Sequence, residues 1–173
     1  MPKGELTVQS REITVGGLLA AVSLLIPLFF RSTLQIVIPT IGFSATLASH
    51  VPTMLAMAVS PMVALGAGVA STIGFWITLG PIVGGRAATH IVWGVLGALV
   101  YQRTHRILWA LAVALPIHAV GEGLVVWYGT GTFHNGLIVM GTTLLHHLVD
   151  SAFTLALVPL VRPAMEPRRA QAR

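Results

Sequence analysis

Three pairs of ionisable residues lie within apolar stretches of this chain, and the members of each pair are four positions apart. The pairs are Arg86 with His90, His118 with Glu122, and His146 with Asp150. Residues four apart share one face of a helix, so three helices would each present a polar stripe. Charged groups inside a bilayer are costly and persist chiefly where they meet a partner, a cavity or a cargo. These six residues are therefore the first candidates for function.

The residue types in these pairs suit different chemistries. Arg86 is the strongest candidate for a ligand contact, because a guanidinium grips a carboxylate through two parallel hydrogen bonds. The two histidine–carboxylate pairs fit metal ligation instead, since imidazole and carboxylate bind Zn, Ni or Co. Asp150 also suits a purely structural ion pair. We expect neither a bound metal nor another cofactor, because Arg86 would repel a cation and no His-rich tract accompanies the pairs. His147 points about 100° away from its neighbour and is expected to be a packing or interface residue.

Composition places these residues in a membrane. The 173-residue chain is 55% hydrophobic and 9% charged, with a mean hydropathy of +0.85, which is far from the mix of soluble domains. Cysteine is absent, which excludes disulfides, thiolate metal sites and a cysteine nucleophile. The net charge of +5 comes from basic residues that flank apolar spans rather than forming a stripe with aromatics. A membrane-surface role explains that charge better than nucleic-acid binding.

The hydropathy pattern predicts an all-α integral membrane protein with six transmembrane helices. The spans are expected at roughly 13–30, 45–60, 62–80, 82–101, 107–128 and 135–160. Residues 1–173 then form one transmembrane domain, with 1–11 and 162–173 as tails. The second span is the shortest, holds His50 and is interrupted by Pro52. The first span is too long for a signal peptide and lacks a small-residue cleavage site, so we expect it in the mature protein.

The distribution of Lys and Arg predicts the orientation. Basic residues precede the first span, join the fourth to the fifth and follow the last: Lys3, Arg11, Arg103, Arg106, Arg162, Arg168, Arg169 and Arg173. An even number of spans puts all of them on one side, which the positive-inside rule makes cytoplasmic, with both termini. The polar pairs then lie in the outer half or the middle of the membrane. That distribution favours a pocket open to the exterior over a continuous pore.

Small residues supply a second signal. Gly16, Gly17, Ala20 and Ala21 form two overlapping small-x-x-x-small steps in the first span, which allow close approach of another helix. Gly66, Ala70 and Gly74 do the same in the third span, where packing within the fold is the favoured interpretation.

Several catalytic motifs are missing. The sequence holds no G-x-x-x-x-G-K-[ST] phosphate loop, no H-E-x-x-H and no G-x-S-x-G. We therefore expect no enzymatic activity. An intramembrane enzyme acting through His and carboxylate groups, or a purely structural assembly factor, is the rival from another class.

The chain resembles the substrate-binding subunits, or S components, of energy-coupling factor transporters, which take up vitamins in prokaryotes. The resemblance covers nearly the whole chain through its size, its six expected spans and the small residues of its first span. Two segments are similar to the niacin-specific members: Phe43-Ser44-Ala45-Thr46-Leu47-Ala48-Ser49-His50-Val51-Pro52, and Leu79-Gly80-Pro81 leading to Arg86-Ala87-Ala88-Thr89-His90.

The resemblance implies a function and partners. Such subunits sit in the prokaryotic plasma membrane, bind a vitamin near the outer surface under the loop between the first two helices, and work with a transmembrane coupling subunit and two ATPases. The first helix, with Gly16, Gly17, Ala20 and Ala21, would dock the coupling subunit. Nicotinate or nicotinamide is the expected cargo, and another vitamin or a divalent metal ion is the alternative. The expected substrate-binding residues are Arg86, His90, His50, Glu122, His118, His146, Trp93 and Trp127.

Overall fold

Six helices and one β-hairpin make up the chain in a computed structural model that describes residues 3–30, 33–41 and 43–165. The helices are α1 (Lys3–Phe29), α2 (Val51–Met57), α3 (Pro61–Leu79), α4 (Pro81–Thr104), α5 (Ile107–Thr130) and α6 (Phe133–Met165). Strands β1 (Gln35–Ile38) and β2 (Phe43–Thr46) pair antiparallel, with Gln35 opposite Thr46 and Ile38 opposite Phe43. The hairpin and the turn after it connect α1 to α2.

Prolines and glycines set the helix boundaries. Pro61 and Pro81 occupy the first turns of α3 and α4, where a missing N–H group costs nothing. Ser60 caps α3 by accepting a hydrogen bond from the Val63 backbone N–H at 3.3 Å. Gly80, between α3 and α4, has a φ of 82°, and Gly131, after α5, has a φ of 70°. Because glycine adopts this region without steric cost, the chain reverses sharply at both points.

Five of the helices are long and apolar enough to cross a membrane: α3, α4, α5, α1 from Glu12 to Phe29, and α6 from Phe133 to Pro159. This confirms the all-α class and a multi-pass membrane protein. The spans expected at 62–80, 82–101, 107–128 and 135–160 each coincide with one of these helices.

The span expected at 45–60 is wrong as a membrane-length helix. Ala45 and Thr46 belong to β2, residues 47–50 form a turn, and α2 has only seven residues, or about 10 Å of helix. Every residue of α2 is buried. An apolar run inside a bundle has the same composition as one facing lipid, so hydropathy alone does not separate the two. Pro52, in the first turn, was the local sign that the helix starts late.

The expected tails are helical where the structure describes them. Helix α1 begins at Lys3, so residues 3–11 continue the first helix, because no proline interrupts this segment and most of its residues tolerate a helix. Helix α6 continues to Met165, and the rest of the expected tail, 166–173, lies outside the described residues.

Close glycine contacts give the directions of the helices. Gly16 of α1 lies against Val63, and Gly74 of α3 lies against Leu24 and Pro27, so α1 and α3 run parallel. Gly68 of α3 approaches the Ile91 backbone. Short connections make each successive pair from α3 to α6 antiparallel. We call the side with the α3–α4 and α5–α6 connections the Gly80 end, and the side with the α4–α5 connection the His105 end.

The chain from the second strand of the hairpin to the end of α2 passes through the interior of the bundle. Ser44 contacts Arg86 near the start of α4, Thr53 lies at Gly94, and Met57 lies at Gly97. This inner segment, Ser44–Met57, therefore runs beside α4 and in the same direction, from the Gly80 end towards the His105 end.

Burial divides the interior into two halves. An apolar core joins α2 to α3, α4 and α5, and includes Met54, Met57, Ala64, Ala67, Ala98, Ala110 and Ala114. A polar cluster fills the interior above it, towards the Gly80 end. The alanines and glycines let the helices approach closely around α2.

Candidate functional site

The polar cluster contains five histidines, two carboxylates and one arginine on four elements. His50 starts α2, Arg86 and His90 lie on α4, His118 and Glu122 on α5, and His146, His147 and Asp150 on α6. All are buried except His146, which is half-buried. Seven of these eight residues were singled out from the sequence, and the structure brings all eight together.

Arg86 and Glu122 form the strongest ion pair of the cluster. Arg86 Nε and Nη2 donate to Glu122 Oε2 at 3.1 and 2.7 Å. Arg86 Nη1 donates to Ser44 Oγ at 3.2 Å, and Nη2 donates to the Ser44 carbonyl at 2.9 Å. The guanidinium thus joins α5 to β2. Arg86 and His90 both line the cavity, as their shared helix face predicts, and the long side chain of Arg86 also reaches across to α5.

Glu122 is held from several sides. Besides Arg86, its Oε2 accepts a hydrogen bond from Thr143 Oγ1 at 2.6 Å. Its Oε1 lies 3.2 Å from His118 Nε2, so these two residues are neighbours as the four-residue spacing predicts. A buried carboxylate without such partners would carry a large desolvation cost. The two oxygens therefore face different groups, Oε2 a cation and a hydroxyl, and Oε1 an imidazole.

Asp150 binds the turn that precedes α2. Its Oδ1 accepts from the Ala48 backbone N–H at 2.9 Å, and its Oδ2 accepts from the His50 backbone N–H at 3.1 Å. The same Oδ2 lies 2.8 Å from His50 Nδ1 and 3.4 Å from His146 Nε2. The structural interpretation of Asp150 agrees with these contacts, since its carboxylate is occupied by the protein itself.

The remaining histidines have hydrogen-bond partners that the sequence did not indicate. His90 Nδ1 lies 2.9 Å from Ser71 Oγ, and His118 Nδ1 lies 2.9 Å from His147 Nδ1. His146 Nε2 lies 3.2 Å from the Thr46 carbonyl oxygen, to which it can only donate. His147 is therefore part of the network and not only a packing residue.

A cavity opens beside the cluster, near the Gly80 end. Its walls include Arg86, Glu122, His50 and His90, with Phe75 on one side and His146 on another. The cavity measures about 270 Å³ with its open mouth, but its interior has room for roughly one water molecule. Ser44, Thr46 and Ser49 of the inner segment narrow it.

The aromatic residues expected at the site divide into two groups. Trp93 is fully buried, and its ring centroid lies 5.0 Å from that of His118 and 5.3 Å from that of His90. Trp127 lies elsewhere, packed edge-to-face on Phe133 with centroids 5.0 Å apart. The structure therefore brings Trp93, but not Trp127, to the cluster.

The residues expected to dock a partner lie on two different sides of α1. Gly16 faces α3, where an added Cβ would meet Val63 Cγ2 at 3.0 Å, whereas Gly17 has open space around it. Ala20 is half-buried and Ala21 is exposed. The outward side of α1 thus carries Gly17 and Ala21. In the third span, Gly74 packs on α1 as expected, while Gly66 is open.

Sequence reasoning missed the hydroxyl and carbonyl groups that complete the cluster. Ser44, Thr46, Ser71 and Thr143 are buried and each contacts an ionisable member. One signal was available for Thr143, which lies seven positions before Asp150 on the same face of α6. Ser44 gave no such signal, since a strand position does not reveal which helix it will face.

Comparison of the chain with family models, with curated proteins and with solved structures gave no match.

Proposed function

We propose that this chain is the membrane-embedded substrate-binding subunit of an energy-coupling factor transporter and that it binds niacin. It would act without chemistry of its own, in a prokaryotic plasma membrane, by presenting a small vitamin to partner subunits. The observation that carries the proposal is a buried arginine beside a cavity, whose guanidinium is held by the inner segment through Ser44.

The course of the chain supports a six-crossing topology in which the inner segment supplies one crossing. Helices α1 and α3 run parallel, so the chain must return between them, and Ser44–Met57 makes that return inside the bundle. Non-helical backbone at membrane depth is tolerated where protein surrounds it. The exposed Arg103 and Arg106 then favour a cytoplasmic His105 end, with both termini, and a cavity that opens outward.

The contacts of Arg86 suggest how a carboxylate would be bound. Two nitrogens of the guanidinium face Glu122, while Nη1 and Nη2 donate to the two oxygens of Ser44. Two acceptor oxygens side by side on that edge resemble the geometry of a carboxylate on arginine. We infer that nicotinate takes the place of Ser44 when the inner segment moves outward, because the present cavity is too narrow for a pyridine ring.

The other cavity residues suit the ring of the cargo. His50, His90 and His146 line the cavity and can donate to a pyridine nitrogen or to an amide oxygen. Phe75 offers an apolar face for stacking, which sequence reasoning had assigned to tryptophans. Trp93 and His118 lie outside the cavity walls and pack against His90 and His50, which line it.

The outward side of α1 is the proposed docking surface for the coupling subunit. Gly17 and Ala21 stand four apart with open space at Gly17, so a second helix can approach closely. Gly16 and Ala20 belong instead to the packing between α1 and α3. The two ATPases would bind the coupling subunit rather than this chain.

Titration calorimetry of the detergent-purified protein with nicotinate and nicotinamide tests the proposal. We expect one-to-one binding of a pyridine ligand, with nicotinate binding lost in Arg86→Ala and kept in Arg103→Ala, where the arginine is exposed. Ser44→Ala removes one competing oxygen and should not weaken binding. Nicotinate binding unchanged in a folded Arg86→Ala protein would refute the anion site. Absence of any small-molecule binding would favour an assembly factor.

A further inference from the structure

Four ligand-type side chains converge at the floor of the cavity. His50, His90, His118 and Glu122 each offer one nitrogen or oxygen atom, and these four atoms all lie within 4.8 Å of one another. The residues come from α4, α5 and the turn that precedes α2, and all four are buried. A tetrahedral zinc site with bonds of about 2.0–2.1 Å needs its ligand atoms roughly 3.3 Å apart. One edge already has that length, since His118 Nε2 lies 3.2 Å from Glu122 Oε1.

Each of these four residues is held from behind by a second group. Ser71 contacts His90 Nδ1, His147 contacts His118 Nδ1, and the Asp150 carboxylate lies 2.8 Å from His50 Nδ1. Arg86 and Thr143 hold the far oxygen of Glu122. Metal-binding histidines and carboxylates are characteristically oriented in this way, with the atom away from the metal engaged by a partner.

The group also contains a buried nitrogen that lacks a hydrogen-bond partner. Among the described residues, His90 Nε2 is buried without one, while His118 Nε2 has Glu122 Oε1 3.2 Å away. A buried polar atom left unpaired is unfavourable, so the nitrogen of His90 calls for a ligand. We propose that His50, His90, His118 and Glu122 bind one divalent transition metal ion of the zinc class at the floor of the cavity.

The neighbouring charges are compatible with a cation. Arg86 would repel a metal ion if its charge stood alone, but it is paired with Glu122 through the oxygen that faces away from the site. Asp150 adds a further negative charge behind His50. The sequence argued against a metal ion because Arg86 would repel a cation. The geometry of the Arg86–Glu122 ion pair offsets that repulsion.

A second group, His50 with His146 and Asp150, is also close enough to hold an ion. It is the weaker candidate, because both Asp150 oxygens accept backbone hydrogen bonds and His146 Nε2 faces a carbonyl oxygen. A nitrogen that donates to a backbone carbonyl outside the ligand set is not available to an ion, whereas the oxygen that faces His118 Nε2 belongs to Glu122, itself one of the four ligands of the first group. The first group is thus the site.

Ligand chemistry limits the ion. Three imidazoles and one carboxylate suit Zn²⁺, and also Ni²⁺ and Co²⁺. Thiolate-seeking ions have no partner in a chain that lacks cysteine. With four protein ligands the site would be closed, as resident structural sites are, and exchange of the ion would be slow.

The test is a metal titration of untagged protein that has been stripped with a chelator. We expect one equivalent of Zn²⁺ by elemental analysis, and a tetrahedral d–d absorption band when Co²⁺ is added. His90→Gln and His118→Gln should abolish stoichiometric binding, and Ser71→Ala should weaken it by about 10–100-fold. His134→Gln, which changes an exposed histidine, is the matched control and should keep full binding.

Three results would overturn the proposal. They are no metal bound to the wild-type protein, an unchanged cobalt spectrum in His118→Gln, and loss of metal in His146→Gln with retention in His90→Gln, which would identify the weaker group. The wild-type titration needs no variant to fold, and melting temperatures in detergent show which variants do. All metal measurements are made without vitamin, so failure of the niacin proposal leaves this result interpretable, and the reverse also holds.

Discussion

At the scale of single residues, Asp150 connects the last helix to the turn before α2. Its two oxygens accept the backbone N–H groups of Ala48 and His50, and it stands close to two imidazoles. Ala48 has a φ of 64°, in the left-handed region that alanine avoids, at a cost of roughly 1–2 kcal/mol. The carboxylate therefore stabilises a strained turn as well as contacting the two imidazoles around it.

Replacing this carboxylate should be far more damaging than replacing its neighbour. Asp150→Ala leaves the backbone N–H groups of Ala48 and His50 and the His50 imidazole without their acceptor, which should cost about 1–3 kcal/mol for each group left unpaired. Ser151→Ala, also buried but contacting only Met54 through its hydroxyl, should cost less than about 1 kcal/mol. Thermal unfolding in detergent measures both. Equal losses in the two variants would mean that Asp150 does not hold the turn.

Residue spacing predicted part of the site. The contacts of His118 with Glu122 and of His146 with Asp150 are confirmed, because both follow from helix geometry alone. The bridge from Arg86 to Glu122 was not predicted, since contacts between helices depend on how the helices rotate against each other. The contact of Ser44 with Arg86 was not predicted for the same reason, and also because the residues between the first two spans were expected to form a loop.

At the scale of elements, α3 and α4 approach so closely that a methyl group matters. A Cβ added at Gly68 would lie 2.8 Å from the Ile91 backbone nitrogen and 2.9 Å from its Cα, whereas Gly66, two positions earlier, faces open space. The Ile91 backbone cannot move away from an added Cβ as a flexible side chain could. The two glycines therefore differ in whether a larger residue has room.

We expect Gly68→Ala to separate α3 from α4 and to destabilise the protein by about 1–3 kcal/mol through overpacking. Gly66→Ala should be neutral or slightly stabilising, because alanine favours a helix more than glycine does. The difference in melting temperature between the two variants checks the packing. A Gly68→Ala protein as stable as Gly66→Ala would contradict it.

We expect assembly with the coupling subunit to depend on the outward face of α1. Gly17→Leu should leave the isolated subunit folded and able to bind cargo, since nothing lies within 4 Å of the added Cβ. It should nevertheless block a close helix contact with the coupling subunit. Gly66→Leu is the control, because it adds the same side chain in equally open space on another helix. Co-purification with the coupling subunit, lost only in Gly17→Leu, would support this docking surface.

Hydropathy predicted the long helices but not α2, for a physical reason. The spans expected at 62–80 and 82–101 agree with α3 and α4, which start at Pro61 and Pro81 and are long enough to span. Residues 43–60 carry a similar composition over a shorter stretch, but polar side chains at Ser44, Thr46 and His50 bind inside the bundle. Tertiary contacts therefore decide whether an apolar segment is surrounded by lipid or by protein.

At the scale of the whole molecule, the absence of cysteine offers a direct measurement of orientation. Single cysteines can be introduced into the natural sequence without removing any. With the topology proposed above, Thr132→Cys at the Gly80 end should react with a membrane-impermeant maleimide in intact cells. Arg103→Cys at the His105 end should react only after the cells are opened. Both positions are exposed, so their reactivity reports the side of the membrane. The opposite pattern would reverse the orientation.

The bonds from Asp150 to Ala48 and His50 also bear on how the protein is made. They join residues 102 and 100 positions apart, so at about 5–20 residues per second a ribosome needs on the order of 5–20 s to supply the carboxylate. Until then the segment around His50 has no partner in the last helix, and its unpaired backbone is unfavourable in lipid. We therefore expect this segment to stay outside the hydrocarbon layer until the sixth helix has emerged.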